Sequence, residues 1–119
     1  MENTSHGGNR VQIIAEAGVN HNGSLDVAKQ LVEAAAESGV DAVKFQTFTA
    51  DNLVSKDAPK AGYQTQTTSK SESQYEMLKS LELNEQAHKE LISYCSQLGI
   101  EFVSTPFDHK SIDLLDSLG

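Results

Sequence analysis

The stretch Asp41-Ala42-Val43-Lys44-Phe45-Gln46-Thr47 carries a cation inside an otherwise apolar, strand-like run. Side chains alternate along a strand, so Val43 and Phe45 point one way and Ala42, Lys44 and Gln46 the other. An inward-facing lysine is costly unless it has a partner or a ligand. Taken alone, it can also snorkel to water from the strand end. Two further runs shift the balance. Val11 to Ala17 (VQIIAEA) carries Glu16 near its end, and Ile100 to Thr105 (IEFVST) closes on Ser104 and Thr105. In a parallel sheet these endings share one face, which brings an acid, a cation, an amide and hydroxyls into one mouth. A carboxylate there can handle a proton, and a lysine can act as a point charge for an anion.

The intervening segments explain why the three runs should be parallel. After the first strand comes Gly18-Val19-Asn20-His21-Asn22-Gly23, with an Asn-Gly turn signal, and then Ser24 as a helix N-cap. Leu25, Ala28, Leu31, Val32 and Ala35 recur at helical spacing, and Gly39 follows as a C′ residue. The pattern then repeats. Asn84 is an N-cap, Ala87, Leu91, Ile92, Cys95 and Leu98 form the stripe, and Gly99 ends the helix. Gly39-Val40-Asp41-Ala42-Val43-Lys44 and Gly99-Ile100-Glu101-Phe102-Val103-Ser104 read alike, residue class by residue class. Asp108 caps a last helix bearing Ile112, Leu114, Leu115 and Leu118. The order β-α-β-insert-α-β-α predicts an α/β fold with parallel strands near 11–17, 41–47 and 100–105. The connection over 48–83 is too long for a simple βα loop, and its second half, Glu72 to Ser80, can form a short helix. Residues 1–10 read as a flexible tail, and residues 11–119 as the folded unit.

Composition narrows the partners. Nine basic and seventeen acidic residues give a formal net charge of −8, which disfavours nucleic acid and anionic membrane. A single cysteine excludes a disulfide framework and suits a reducing cytoplasm. No apolar run approaches the roughly 18 residues that suggest a membrane span. Cys95 reads as core, and Glu33, Glu37, Glu82, Glu85 and Glu90 as solvated helix faces. His6 falls in the tail, His88 is placed on a helix off the apolar stripe and expected to be solvated, and His109 is expected to start a helix. His21 is the histidine placed nearest the mouth, with an orienting role ahead of metal ligation, because the four histidines lack ligand spacing.

Three segments taken together resemble the sialic acid synthases: Ile14 to Ser24 (IAEAGVNHNGS), Val43 to Thr47 (VKFQT) and Ser104 to Phe107 (STPF). Within the insert, Ala58-Pro59-Lys60, Tyr63-Gln64 and Glu72-Ser73-Gln74 are similar to bacterial members. The family condenses phosphoenolpyruvate with an N-acylmannosamine-type sugar to give a nonulosonic acid, and it includes N-acetylneuraminate and legionaminic acid synthases. The resemblance implies that this chain is the first three βα units of a (β/α)8 TIM barrel. It gives Glu16 and Lys44 as catalytic residues. Lys44 and Thr105 would contact phosphoenolpyruvate, Gln46 would lie close to the sugar, and Asn20 would belong to the first substrate loop. It also implies a divalent metal, Mn or Mg, held by ligands outside these residues, and a cytoplasmic homodimer. Two other readings compete: a class I aldolase in which Lys44 forms a Schiff base, and a non-catalytic fragment. A barrel needs about 250 residues, so the chain reads as an N-terminal piece. By itself it is expected to be inactive, marginally stable and prone to associate through open sheet edges.

Overall fold

A computed structural model describes residues 10–53 and 74–119. The strands are β1 (Ile14–Gly18), β2 (Ala42–Thr47) and β3 (Glu101–Pro106). The helices are α1 (Leu25–Glu37), α2 (Ala50–Leu53), α3 (Gln74–Lys79), α4 (Glu85–Leu98) and α5 (His109–Leu118). Of the expected tail at 1–10, residues 1–9 lie outside the described residues, as do the insert segments Ala58-Pro59-Lys60, Tyr63-Gln64 and Glu72-Ser73, while Arg10 pairs with Asp41.

The strands form one parallel sheet in the order β1-β2-β3. Ile14 pairs with Ala42 and Glu16 with Lys44; Ala42 pairs with Glu101 and Gln46 with Thr105. Paired residues of a parallel sheet point to the same face. Val43 and Phe45 therefore share one face with Ala15 and Phe102, and Lys44 and Gln46 share the other with Glu16 and Thr105. The first face is the core: Val43, Phe45, Ala28, Val32, Ala35, Leu91 and Cys95 are buried together, with Phe102 packed against them. Burying Phe45, Leu91 and Val32 removes apolar surface worth roughly 1.5–3 kcal/mol for each side chain. Phe45 also stacks on Phe102 at 5.6 Å. On the other face Ile14 is half-exposed.

Local chemistry starts each main helix. The Ser24 hydroxyl accepts the Val27 N–H at 3.2 Å, the Asn84 amide oxygen accepts the Ala87 N–H at 2.8 Å, and the Asp108 carboxylate accepts the Ser111 N–H at 2.8 Å. Strand β1 begins later than the apolar run suggests. The Asp41 carboxylate takes the Ile13 N–H at 2.8 Å and also pairs with Arg10, so Val11 to Ile13 run exposed ahead of the strand.

The two ends of the insert are tied to each other, and its start is tied to the loop after β3. The Ala50 N–H donates to Glu82 at 2.7 Å, and the Thr49 N–H donates to Asp108 at 2.8 Å. Glu82 was expected on a solvated helix face. It lies instead in the connection between α3 and α4, where its carboxylate satisfies an amide of α2. The turn after β1 meets the same connection: Gly23 takes φ +81, and a Cβ there would overlap the Ser80 carbonyl oxygen. Only glycine allows this approach at this backbone angle. Among the described residues no helix is long and apolar enough to cross a membrane.

Candidate active site

The C-terminal halves of β1 and β2 bring the predicted acid and cation into contact. Lys44 Nζ lies 3.2 Å from Glu16 Oε1, with the two side chains 38% and 52% exposed. Gln46 joins them. A Cβ built on Gly18 would stand 3.3 Å from Glu16 Oε2 and 3.7 Å from Gln46 Nε2, so the carboxylate and the amide converge over that glycine. Thr105 is the register partner of Gln46 and stands half-buried beside it on the same face. An acid, a cation, an amide donor and a hydroxyl thus line one side of the sheet at its C-terminal edge, where α/β sheets bind ligands.

The Glu16–Lys44 pair is wet, and that matters for its chemistry. Neither charge is stranded without water, so each can exchange its partner for a ligand group at little cost. A cavity of about 740 Å³ lies beyond the end of β3, near Asn52, Phe107, Asp108 and Lys110. None of Glu16, Lys44, Gln46 or Thr105 lines it. Their face opens to solvent instead.

The other predicted residues are placed less directly. Asn20 is exposed at the end of β1, and its side-chain N–H donates to the Ala17 carbonyl at 3.0 Å, which closes the turn. Ser104, grouped with Thr105 by its position at the strand end, points to the helix side, because neighbouring residues of a strand face opposite ways. His21 is fully buried. Its Nδ1 accepts the Gly23 N–H at 2.8 Å and its ring tilts against Phe45, so it shapes the turn from the core side. Burial, and then the nearby His88, hold the His21 imidazole below its ordinary pKa. Its Nε2 is buried without a hydrogen-bond partner among the described residues. His109 opens α5. Burial in the apolar core pushes the Cys95 thiol up to about 11.

His88 contradicts the expectation of a solvated side chain. It is 1% exposed. Its Nδ1 lies 2.9 Å from the Asn84 carbonyl and its Nε2 2.8 Å from Thr47 Oγ1, and Thr47 Oγ1 lies 2.6 Å from Ser104 Oγ. The sequence did hold a signal. Residues 88, 91 and 95 follow i, i+3, i+7 spacing, which places His88 on the stripe of Leu91 and Cys95. Thr47 shares the parity of Val43 and Phe45, so its hydroxyl needs a buried partner.

Among the described residues no three His, Cys, Asp or Glu side chains converge on a metal position. The described residues by themselves therefore do not make a metal centre.

The NeuB family model matches residues 31–119. The chain is 63% identical over 107 residues to the N,N'-diacetyllegionaminic acid synthase of Legionella pneumophila, covering 90% of this chain and 30% of that protein. It is 58% identical to the N,N'-diacetyllegionaminic acid synthase of Campylobacter jejuni, covering 90% and 32%. The crystal structure of N-acetylneuraminic acid synthetase from Leptospira borgpetersenii, in complex with citrate, superimposes with a TM-score of 0.70 at 26% identity, covering 98% of this chain and 38% of that one. The chain thus spans about a third of the length of the curated relatives it matches.

Proposed function

The chain belongs to the NeuB family, and from that premise we propose that it forms the first three βα units of a (β/α)8 synthase joining phosphoenolpyruvate to an N-acylmannosamine-type sugar. The observation that carries this reading is the convergence of Glu16, Lys44 and Gln46 on the open sheet face, in register with Thr105. Phosphoenolpyruvate places a carboxylate and a phosphate close together, and holding it needs fixed cations and donors. Lys44 supplies the charge, and the Thr105 hydroxyl donates to an anionic oxygen. The amide of Gln46 faces the sugar, and Asn20 belongs to the first substrate-binding loop.

In the condensation, C3 of phosphoenolpyruvate forms a bond to the aldehyde carbon of the open-chain sugar, and the aldehyde oxygen takes up a proton. Water adds at C2, and the bond from C2 to the phosphate oxygen breaks, releasing inorganic phosphate and leaving a ketone at C2. Glu16, next to the sugar end, is the group that handles a proton there. Lys44 neutralises ligand charge through its ammonium group and forms no covalent bond. The assembly in this reading is a cytoplasmic homodimer whose remaining strands cover the open face.

A chimera tests the proposal. The matching segment of the Legionella pneumophila relative is replaced by this chain, and phosphate release is followed with phosphoenolpyruvate and an acylamino sugar. The expected result is release that requires both substrates. No release, or a borohydride-trapped adduct on Lys44 with a keto substrate, overturns the reading, the latter in favour of a Schiff-base aldolase.

A further inference from the structure

His88 is a histidine in an apolar core, and each of its ring nitrogens has a partner. The Asn84 carbonyl can only accept, so Nδ1 carries the hydrogen and donates to it at 2.9 Å. In the tautomer this selects, Nε2 offers its lone pair to the Thr47 hydroxyl at 2.8 Å. With its own hydrogen committed, Thr47 Oγ1 accepts the Ser104 hydroxyl at 2.6 Å. The chain of bonds runs one way, from Ser104 to Thr47 to His88 to the capping residue of α4. The ring also meets Phe102 edge-on at 6.2 Å.

This relay lies directly behind the candidate site. Thr47 follows Gln46 on β2, and Ser104 precedes Thr105 on β3, while Gln46 and Thr105 are register partners on the opposite face. We infer that His88 is a positioning residue: through Thr47 and Ser104 it fixes the two strand ends that carry Gln46 and Thr105. The inference rests on the synthase reading for its functional consequence, and on hydrogen bonds and register for its geometry. Helix α4 packs on the sheet through apolar side chains, whose contacts carry no direction. A directed hydrogen-bond chain has one satisfied arrangement and so sets the relative height of the two strand ends.

Three variants of the chimera test it. His88→Gln keeps an amide oxygen that can accept from Thr47. His88→Asn is too short to reach Thr47. The combination His88→Leu, Thr47→Val, Ser104→Ala replaces the relay with apolar groups, which relieves unsatisfied buried atoms and restores stability. The expected result is kcat/KM within about fivefold of the unmutated chimera for His88→Gln, and a fall of roughly 10²-fold for both His88→Asn and the stable triple variant, the scale of an ångström-level misplacement. A triple variant with full stability and full kcat/KM would show that the relay only holds the fold together and would overturn the inference. Amide hydrogen exchange gives a readout independent of turnover: His88→Asn should raise exchange at Phe45 to Thr47 and at Ser104 and Thr105, leaving Ala42 to Lys44 unchanged. Unaltered exchange at those strand ends overturns the inference even if the unmutated chimera is inactive, and that inactivity counts against the synthase reading alone.

Discussion

Replacing Lys44 with methionine separates a functional lysine from a structural one. The ammonium lies 3.2 Å from Glu16 Oε1, with both side chains more than a third exposed. Two unit charges at that distance attract by about 1 kcal/mol in water. Ordering two long side chains offsets part of this, so the net worth of the pair is below about 1 kcal/mol. Methionine keeps most of the aliphatic stem, and the Glu16 left behind is 52% exposed and stays hydrated. Folding stability should therefore fall by less than about 1 kcal/mol. Phosphoenolpyruvate binding should change far more. A hydrogen bond to a charged group contributes about 1.5–3 kcal/mol, which weakens phosphoenolpyruvate binding roughly ten- to 150-fold when it is removed. Calorimetric titration of each substrate into the chimera, beside urea unfolding of the same samples, measures both quantities. Phosphoenolpyruvate affinity should drop and sugar affinity should hold. Unchanged phosphoenolpyruvate affinity refutes the assignment, and a stability loss above about 2 kcal/mol refutes the premise that the pair is weakly coupled to the fold.

Glu16→Gln should leave the urea midpoint in place and cut kcat by about 10²-fold or more, the usual scale for a general acid or base; a loss below tenfold, read by phosphate release, argues against that role. Gly23→Ala should cost more stability than Gly99→Ala. Both take positive φ, worth about 1–2 kcal/mol against an L side chain, but the new methyl at Gly23 also meets the Ser80 carbonyl while nothing lies within 4 Å at Gly99; equal urea midpoints would show that the insert yields freely at Ser80. Stability should fall as pH drops below 6.5, the ordinary value of a histidine, because the folded state holds His21 below it and the unfolded chain binds the proton first. His21→Gln should flatten that slope between about pH 7 and 5, whereas Asp41 and Asp108, held low by backbone N–H donors with Asp108 opposed by burial, act only below about pH 4.

The parts of the fold legible in the sequence were those decided locally. Ser24, Asn84 and Asp108 cap helices because a short oxygen-bearing side chain satisfies a free N–H two or three residues on, and nothing distant is needed. Strand parity separated Val43 and Phe45 from Lys44 and Gln46. With the strands parallel it also brought Glu16 beside Lys44. Ser104 stands beside Thr105 at the strand end, but parity sends it to the core. Other residues answer to a distant partner. The start of β1 depends on the Asp41 carboxylate capturing the Ile13 N–H. His88 reads as solvated when it is placed off the apolar stripe, yet its spacing sets it on the face of Leu91 and Cys95, and its ring is satisfied by a hydroxyl on β2 that only the folded sheet brings within reach.

The register of the sheet has a consequence for the order in which it forms. Ile14 meets Ala42 across one helix, while Ala42 meets Glu101 across the insert and a second helix, a separation about twice as long. Loop-closure entropy rises only with the logarithm of length, so the longer closure costs about 0.6 kcal/mol more than the shorter one. The β1-α1-β2 unit should therefore close first, and β3 should join a sheet edge already in place. The same logarithm makes the connection after β2 the inexpensive place to vary length. Residues added between α2 and α3 barely tax folding, while the clasp of Ala50 on Glu82 and of Thr49 on Asp108 keeps both ends of the excursion anchored near the mouth.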